Sequence, residues 1–103
     1  MRLERLIELM ETSSKEEPFI LFAIAKEYEN KGDNENSLLF YTKLVNNFPN
    51  YVGTYYHLGK HYEGIGNIEA AISSYITGME VAKQQKDQHS YNELAAAKFN
   101  LTD

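Results

Sequence analysis

Cysteine is absent from the chain. That excludes a disulfide framework, a thiolate metal site and a cysteine nucleophile, and it suits a cytoplasmic setting. Basic residues are in the minority: ten Lys and Arg against fifteen Asp and Glu leave a net charge of −5 and a pI near 5.2. Nucleic-acid backbones and anionic lipid surfaces both call for positive patches, so neither is expected as a main partner. No apolar run is long enough to span a bilayer. A secretory leader is not expected either, because Glu4 and Glu8 interrupt the apolar residues Leu3, Leu6, Ile7 and Leu9. Gly64 and Gly66 are spaced as a turn and not as a phosphate-binding loop. Ser73, Ser74 and Ser90 have no recognisable His/Asp arrangement around them. No catalytic residue and no cofactor are therefore expected.

What the chain does have is an internal repeat. Its 103 residues, 43% of them hydrophobic, are enough for one ordered domain, taken as 1–103. Leu21, Ile24, Ala25, Tyr28, Gly32, Ser37 and Tyr41 recur as Tyr55, Leu58, Gly59, Tyr62, Gly66, Ala71 and Tyr75, each pair 34 residues apart. A fixed offset held at seven positions, with a period between about 20 and 50, is the signature of stacked supersecondary units. The second copy reads Tyr55-x2-Leu58-Gly59-x2-Tyr62, then Ala71 and Tyr75. It resembles the tetratricopeptide repeat: an aromatic, Leu-Gly, Tyr, then a small residue, an aromatic and a closing Pro. The resemblance implies an all-α fold, a right-handed α-solenoid of antiparallel helix pairs with about six helices. Leu21 stands where the family has a Trp-like aromatic, and Leu44 where it has a small residue.

Local signals place the helices. Leu3, Leu6, Ile7 and Met10 lie at helical spacing. Subtracting 34 from Ser37, Tyr41 and Leu44 gives Leu3, Ile7 and Met10, so residues 1–13 read as the second helix of a preceding repeat, capping the first complete one. Repeat 1 spans 18–51. Ser14 with Glu17 forms an expected capping box, Pro18 suits a first helical turn, Gly32 a left-handed end, Asp33 or Asn34 an N-cap and Pro49 a stop. Repeat 2 spans 52–85, with Asn67 as N-cap. Lys83 stands where Pro49 stood, so its second helix is expected to run longer. Ser90 and Glu93 read as a capping box for a closing helix over 88–102, in which Tyr91, Leu94 and Ala95 repeat Tyr55, Leu58 and Gly59 at an offset of 36. Lys98 takes the place of Tyr62, its stem free to lie on the core while its charge stays wet.

The small residues Ala25, Ser37, Gly59, Ala71 and Gly78 alternate with large ones, as close helix pairs require. Each large side chain buried this way contributes roughly 1.5–3 kcal/mol. Five of the eight tyrosines occupy such positions, which assigns them to the core and not to a base-stacking platform.

In this family the first helix of each unit lines a concave groove, and its residues outside the core motif are free to bind. They are Phe22, Lys26, Glu29 and Asn30 in repeat 1 and Tyr56, Lys60, Glu63 and Gly53 in repeat 2, followed by Asn92 on the closing helix. An aromatic pair beside a lysine pair suits a short peptide that carries an acidic group and an apolar side chain. Against this, Lys26–Glu29 and Lys60–Glu63 also read as ordinary solvated i,i+3 pairs. Some family members clamp a C-terminal carboxylate with a lysine and, four residues on, an asparagine; Phe22 and Lys26 occupy those positions, so that clamp is missing. The expected function is a non-enzymatic module for a protein or peptide partner. The alternative is a self-associating structural unit, a homo-oligomer built through an end helix. A third reading is metal binding through His57 and His61, four apart on one helix with no evident third ligand.

Overall fold

A computed structural model describes residues 2–12 and 17–102. Among them are six α-helices and no strand: α1 (Arg2–Thr12), α2 (Pro18–Asn30), α3 (Asn34–Asn47), α4 (Gly53–Gly64), α5 (Ile68–Gln84) and α6 (Gln88–Thr102). They fall into two compact units, Met1–Pro49 and Asn50–Asp103.

Three of the helix ends share one backbone geometry. At the end of α2, Gly32 N–H donates to the Glu29 carbonyl and Asp33 N–H to the Tyr28 carbonyl. At the end of α4 the same bonds run from Gly66 to Glu63 and from Asn67 to Tyr62, and at the end of α5 from Lys86 to Lys83 and from Asp87 to Ala82. This is the Schellman pattern, which satisfies carbonyls left over by the helix and needs a left-handed residue just past its end. Gly32 and Gly66 supply it with φ of 79° and 81°; the third position is Lys86, at φ 58°. The residue closing each turn also opens the next helix. Asp33 accepts from Asn36 N–H at 3.1 Å, Asn67 from Ala70 N–H at 3.2 Å and Asp87 from Ser90 N–H at 3.1 Å. These bonds, first from the side chains of Asn36 and Ser90 and then from their N–H groups, hold the Asp33 and Asp87 carboxyls below the ordinary carboxylate range.

Two helix starts differ from the sequence reading. Glu17 is the N-cap of α2, extended at φ −119° and ψ 122° and without a side-chain cap bond, so it is not the third residue of a helix begun at Ser14. The following proline disfavours helical backbone at Glu17 and itself sits at the first helical position. Ser14 lies outside the described residues. Ser90, likewise, is no cap: it lies in the first turn of α6, and its hydroxyl donates to Asp87 Oδ2 at 2.7 Å. The longer second helix of repeat 2 does appear, with 17 residues in α5 against 14 in α3. Of the three added residues, Ala82 enters the core, next to Val81 at the position of Asn47.

In the first unit α1 lies on α2. Leu3, Ile20 and Ile24 form a buried cluster backed by Leu6, Ile7, Met10, Tyr28 and Phe40. The Arg2 guanidinium meets Glu27 at 2.8 Å. Between α2 and α3, Leu21, Ile24, Ala25, Tyr41 and Leu44 are fully buried.

In the second unit the helix contacts are set by two glycines. A Cβ on Gly59 would collide with the ring of Tyr75, so α4 meets α5 by laying that ring on bare backbone. A Cβ on Gly78 would stand 2.6 Å from the Tyr55 Cβ and 3.0 Å from Leu94, so α5 is held closely by α4 on one side and α6 on the other. On α6, Leu94 is buried as its offset indicates, while Tyr91 and Ala95 are half-buried and Ala97, which the offset does not single out, is buried.

Gly59→Leu is expected to cost about 1–3 kcal/mol or more through overpacking against Tyr75, read as a fall in Tm; an unchanged Tm would mean that α4 and α5 are not paired at this residue. Lys86→Gly is expected to stabilise by about 0.5–1 kcal/mol, because relief of the left-handed strain exceeds the added freedom of the unfolded chain. Urea denaturation measures it, and a loss of stability would contradict the turn geometry.

Candidate functional site

The motif that forms the core leaves one face of α2 and one face of α4 to other residues. On α2, Phe22 and Lys26 are one turn apart, which puts the lysine Nζ 5.8 Å from the Phe22 ring centroid. Phe22, outside the core motif, is nevertheless half-buried: its ring meets Tyr41 of α3 edge-on, with centroids 6.0 Å apart. One turn beyond Lys26, Glu29 accepts the Tyr41 hydroxyl at 2.9 Å. Asn30 is exposed at the end of the helix.

The second unit repeats the arrangement with its own residues. Lys60 Nζ lies 5.5 Å from the Tyr56 ring centroid, and Tyr56, 36% exposed, leans on Tyr75 of α5 with centroids 6.3 Å apart. Glu63 accepts the Tyr75 hydroxyl and meets Lys60 Nζ at 3.6 Å. Gly53 opens α4 and is half-buried. Asn92 is exposed on α6, where its Oδ1 accepts from Gln88 Nε2 at 2.8 Å.

The structure therefore brings Phe22, Lys26 and Glu29 together around Tyr41, and Tyr56, Lys60 and Glu63 together around Tyr75. It also corrects the expectation that fold-forming contacts make no claim on Glu29 and Glu63. Each carboxylate is tied to a tyrosine on the other helix of its pair. The reason is burial: a phenol whose ring is fully covered still has to place its hydroxyl, and the half-buried glutamate beside it is the acceptor. Tyr41 and Tyr75 were legible as core residues, but not as participants in this face. The available signal was a Tyr with a Glu twelve positions earlier, present in both repeats.

His57 and His61 are half-buried, with their rings against Tyr56 and Tyr62 at centroid distances of 5.8 and 5.6 Å. No three His, Cys, Asp or Glu side chains gather in metal-holding geometry among the described residues. Nor is any described helix long and apolar enough to cross a membrane.

The tetratricopeptide repeat pattern matches residues 20–51 and 52–85. The chain belongs to the tetratricopeptide repeat family. Its fold is close to that of a tetratricopeptide repeat domain protein from Salinibacter ruber. The crystal structure of that protein is 40% identical and aligns at a TM-score of 0.80 over 84% of this chain and 96% of the other. The NMR structure of the tetratricopeptide repeat domain protein from the same organism is 38% identical, with a TM-score of 0.82 over 87% and 91%. A protein from Bordetella parapertussis aligns at a TM-score of 0.83 over 98% of this chain and 87% of its own, and at 22% identity that likeness speaks for the fold alone. No curated protein matches the chain. Tetratricopeptide repeats are in general protein-interaction modules and in general not enzymes.

Burial first, then the bonded glutamate, raises the pKa of Tyr41 and of Tyr75 well above the ordinary tyrosine value near 10. The folded chain keeps both protons where the unfolded chain gives them up, so the unfolded state binds fewer protons and stability falls as pH rises above about 10. Urea unfolding across this range is expected to show the decline, and Tyr41→Phe with Tyr75→Phe is expected to make it shallower. An identical slope in the double variant would remove these two phenols from the linkage.

Proposed function

We propose that this chain is a non-enzymatic module that binds a peptide or protein segment on the first-helix faces of its repeats. Phe22 and Lys26 serve in the first repeat and Tyr56 and Lys60 in the second. The observation that carries this reading is the duplicated lysine-over-aromatic pair. Lys26 Nζ stands 5.8 Å from the Phe22 ring centroid and Lys60 Nζ 5.5 Å from that of Tyr56, although neither lysine belongs to the motif that builds the fold. A cation held over an aromatic ring offers a ligand two things at once, a charge for a carboxylate and an apolar surface for the side chain next to it. The fitting partner is a segment that combines an acidic and an apolar residue. Glu29 and Glu63 act in this reading as supports for the face, and Asn30 and Asn92 as polar positions at its margins.

The missing lysine–asparagine clamp keeps a C-terminal carboxylate from being the specified ligand group. An acidic residue within a segment is the better match, because the two cations belong to separate repeats and each has its own aromatic neighbour.

Lys26→Glu combined with Lys60→Glu is expected to weaken capture of a partner retrieved from the native source by about tenfold or more, with helicity by circular dichroism unchanged. A partner held equally well by the double variant would place the binding surface elsewhere on the chain.

A further inference from the structure

In the second repeat the contacts close into a ring. The Tyr75 hydroxyl donates to Glu63 Oε2, and the same oxygen faces Lys60 Nζ at 3.6 Å. That ammonium lies 5.5 Å from the centre of the Tyr56 ring, and the Tyr56 ring returns to Tyr75 at 6.3 Å. Three of the four residues are on α4. The fourth, Tyr75, is on α5 and fully buried, with its ring fixed against Gly59. A lysine on an exposed helix face ordinarily samples many rotamers, and an i,i+3 carboxylate alone holds it weakly. Here the carboxylate is itself fixed from below, by a hydroxyl that cannot move unless the core moves.

We propose that Tyr75 is a positioning residue for the ligand-facing surface of the second repeat. Through Glu63 its hydroxyl holds the Lys60 ammonium against Tyr56, so that cation and aromatic surface are set before a partner arrives. The matching partner group is a side-chain carboxylate next to an apolar residue, approaching the exposed side of the Lys60–Tyr56 pair. Lys60 and Tyr56 are the more exposed members of the ring, and Glu63 and Tyr75 the less exposed ones. The buried members thus determine where the exposed ones stand. Two of the ring's links recur in the first repeat, the hydroxyl–carboxylate bond from Tyr41 to Glu29 at 2.9 Å and the lysine–aromatic pair of Lys26 and Phe22. The functional meaning of this role rests on the binding reading above; the positioning role stands on the ring itself.

The two are separated by experiments on the full chain. Ring-current displacement of the Lys60 ε-methylene protons, measured by NMR without ligand, reports whether the lysine is held on Tyr56. Tyr75→Phe keeps the buried ring and removes only the hydroxyl, and Glu63→Gln keeps an acceptor for Tyr75 while removing the charge. In both variants the Lys60 signals are expected to move to the positions of a free lysine. The Lys26 signals over Phe22, in the other repeat, are expected to stay, which distinguishes loss of positioning from loss of fold. Lys60 signals that remain displaced in Tyr75→Phe would overturn the positioning role.

Blocked peptides pairing one glutamate with one leucine or phenylalanine serve as the binding probe. If they bind the natural chain, Tyr75→Phe is expected to weaken them by about two- to tenfold, the cost of immobilising the lysine anew on binding. Equal affinity in that variant would overturn the role. Probes that fail to bind the natural chain count against the binding reading, and the Lys60 signals still decide the role of Tyr75.

Discussion

The structure depends on how closely one helix can approach another. In the second unit that limit is reached at Gly59, where the Tyr75 ring occupies the space a Cβ would fill, and at Gly78, where Tyr55 and Leu94 approach one backbone position from two helices. A fully buried tyrosine is an unusual choice for such a contact, because its hydroxyl must be satisfied. Satisfying it draws Glu63 inward, and with Glu63 comes Lys60. A requirement of the core is thereby transmitted to the surface. The first repeat shows the same link between Tyr41 and Glu29.

The turns supply the second constraint, and they do so economically. One residue in three of the connections acts twice: Asp33, Asn67 and Asp87 each complete the preceding Schellman turn by their N–H and cap the following helix by their side chain. Joining stop and start in one residue leaves little slack in the length of the connection, and this helps hold the repeat to its period. Lys86 shows what the device tolerates. With the flanking bonds in place, a non-glycine residue is held in the left-handed region at a cost that glycine at Gly32 and Gly66 avoids.

These two constraints shape what a tetratricopeptide repeat of this sequence can present. The helix faces left over by the core carry a lysine on an aromatic ring in each repeat, and a glutamate tied to the interior. On the binding reading proposed above, a face held in this way would lose less entropy when a partner binds. The chain carries a net charge of −5, so each of these lysines stands against an acidic background overall. On that same reading, a partner with a local acidic group would be steered toward them.

By itself the sequence determined the repeat, the number and order of the helices, the turn at Gly66–Asn67, the extra length of α5 and most of the core, down to Ala25, Gly59 and Ala71. All of these follow from spacing along the chain or from chemistry within a few residues, where a linear reading is sufficient. Even locally there were misses. Glu17 and Ser90 had plausible capping partners nearby, and a neighbouring proline in one case and Asp87 in the other prevailed. Only the tertiary structure decided that Phe22 is half-buried, that Glu29 and Glu63 are held by Tyr41 and Tyr75, and that Lys60 closes a ring with Tyr56, Glu63 and Tyr75. The physical reason is that a hydroxyl chooses its acceptor by distance and burial across two helices. Residues twelve apart in sequence become neighbours only after the hairpin has formed.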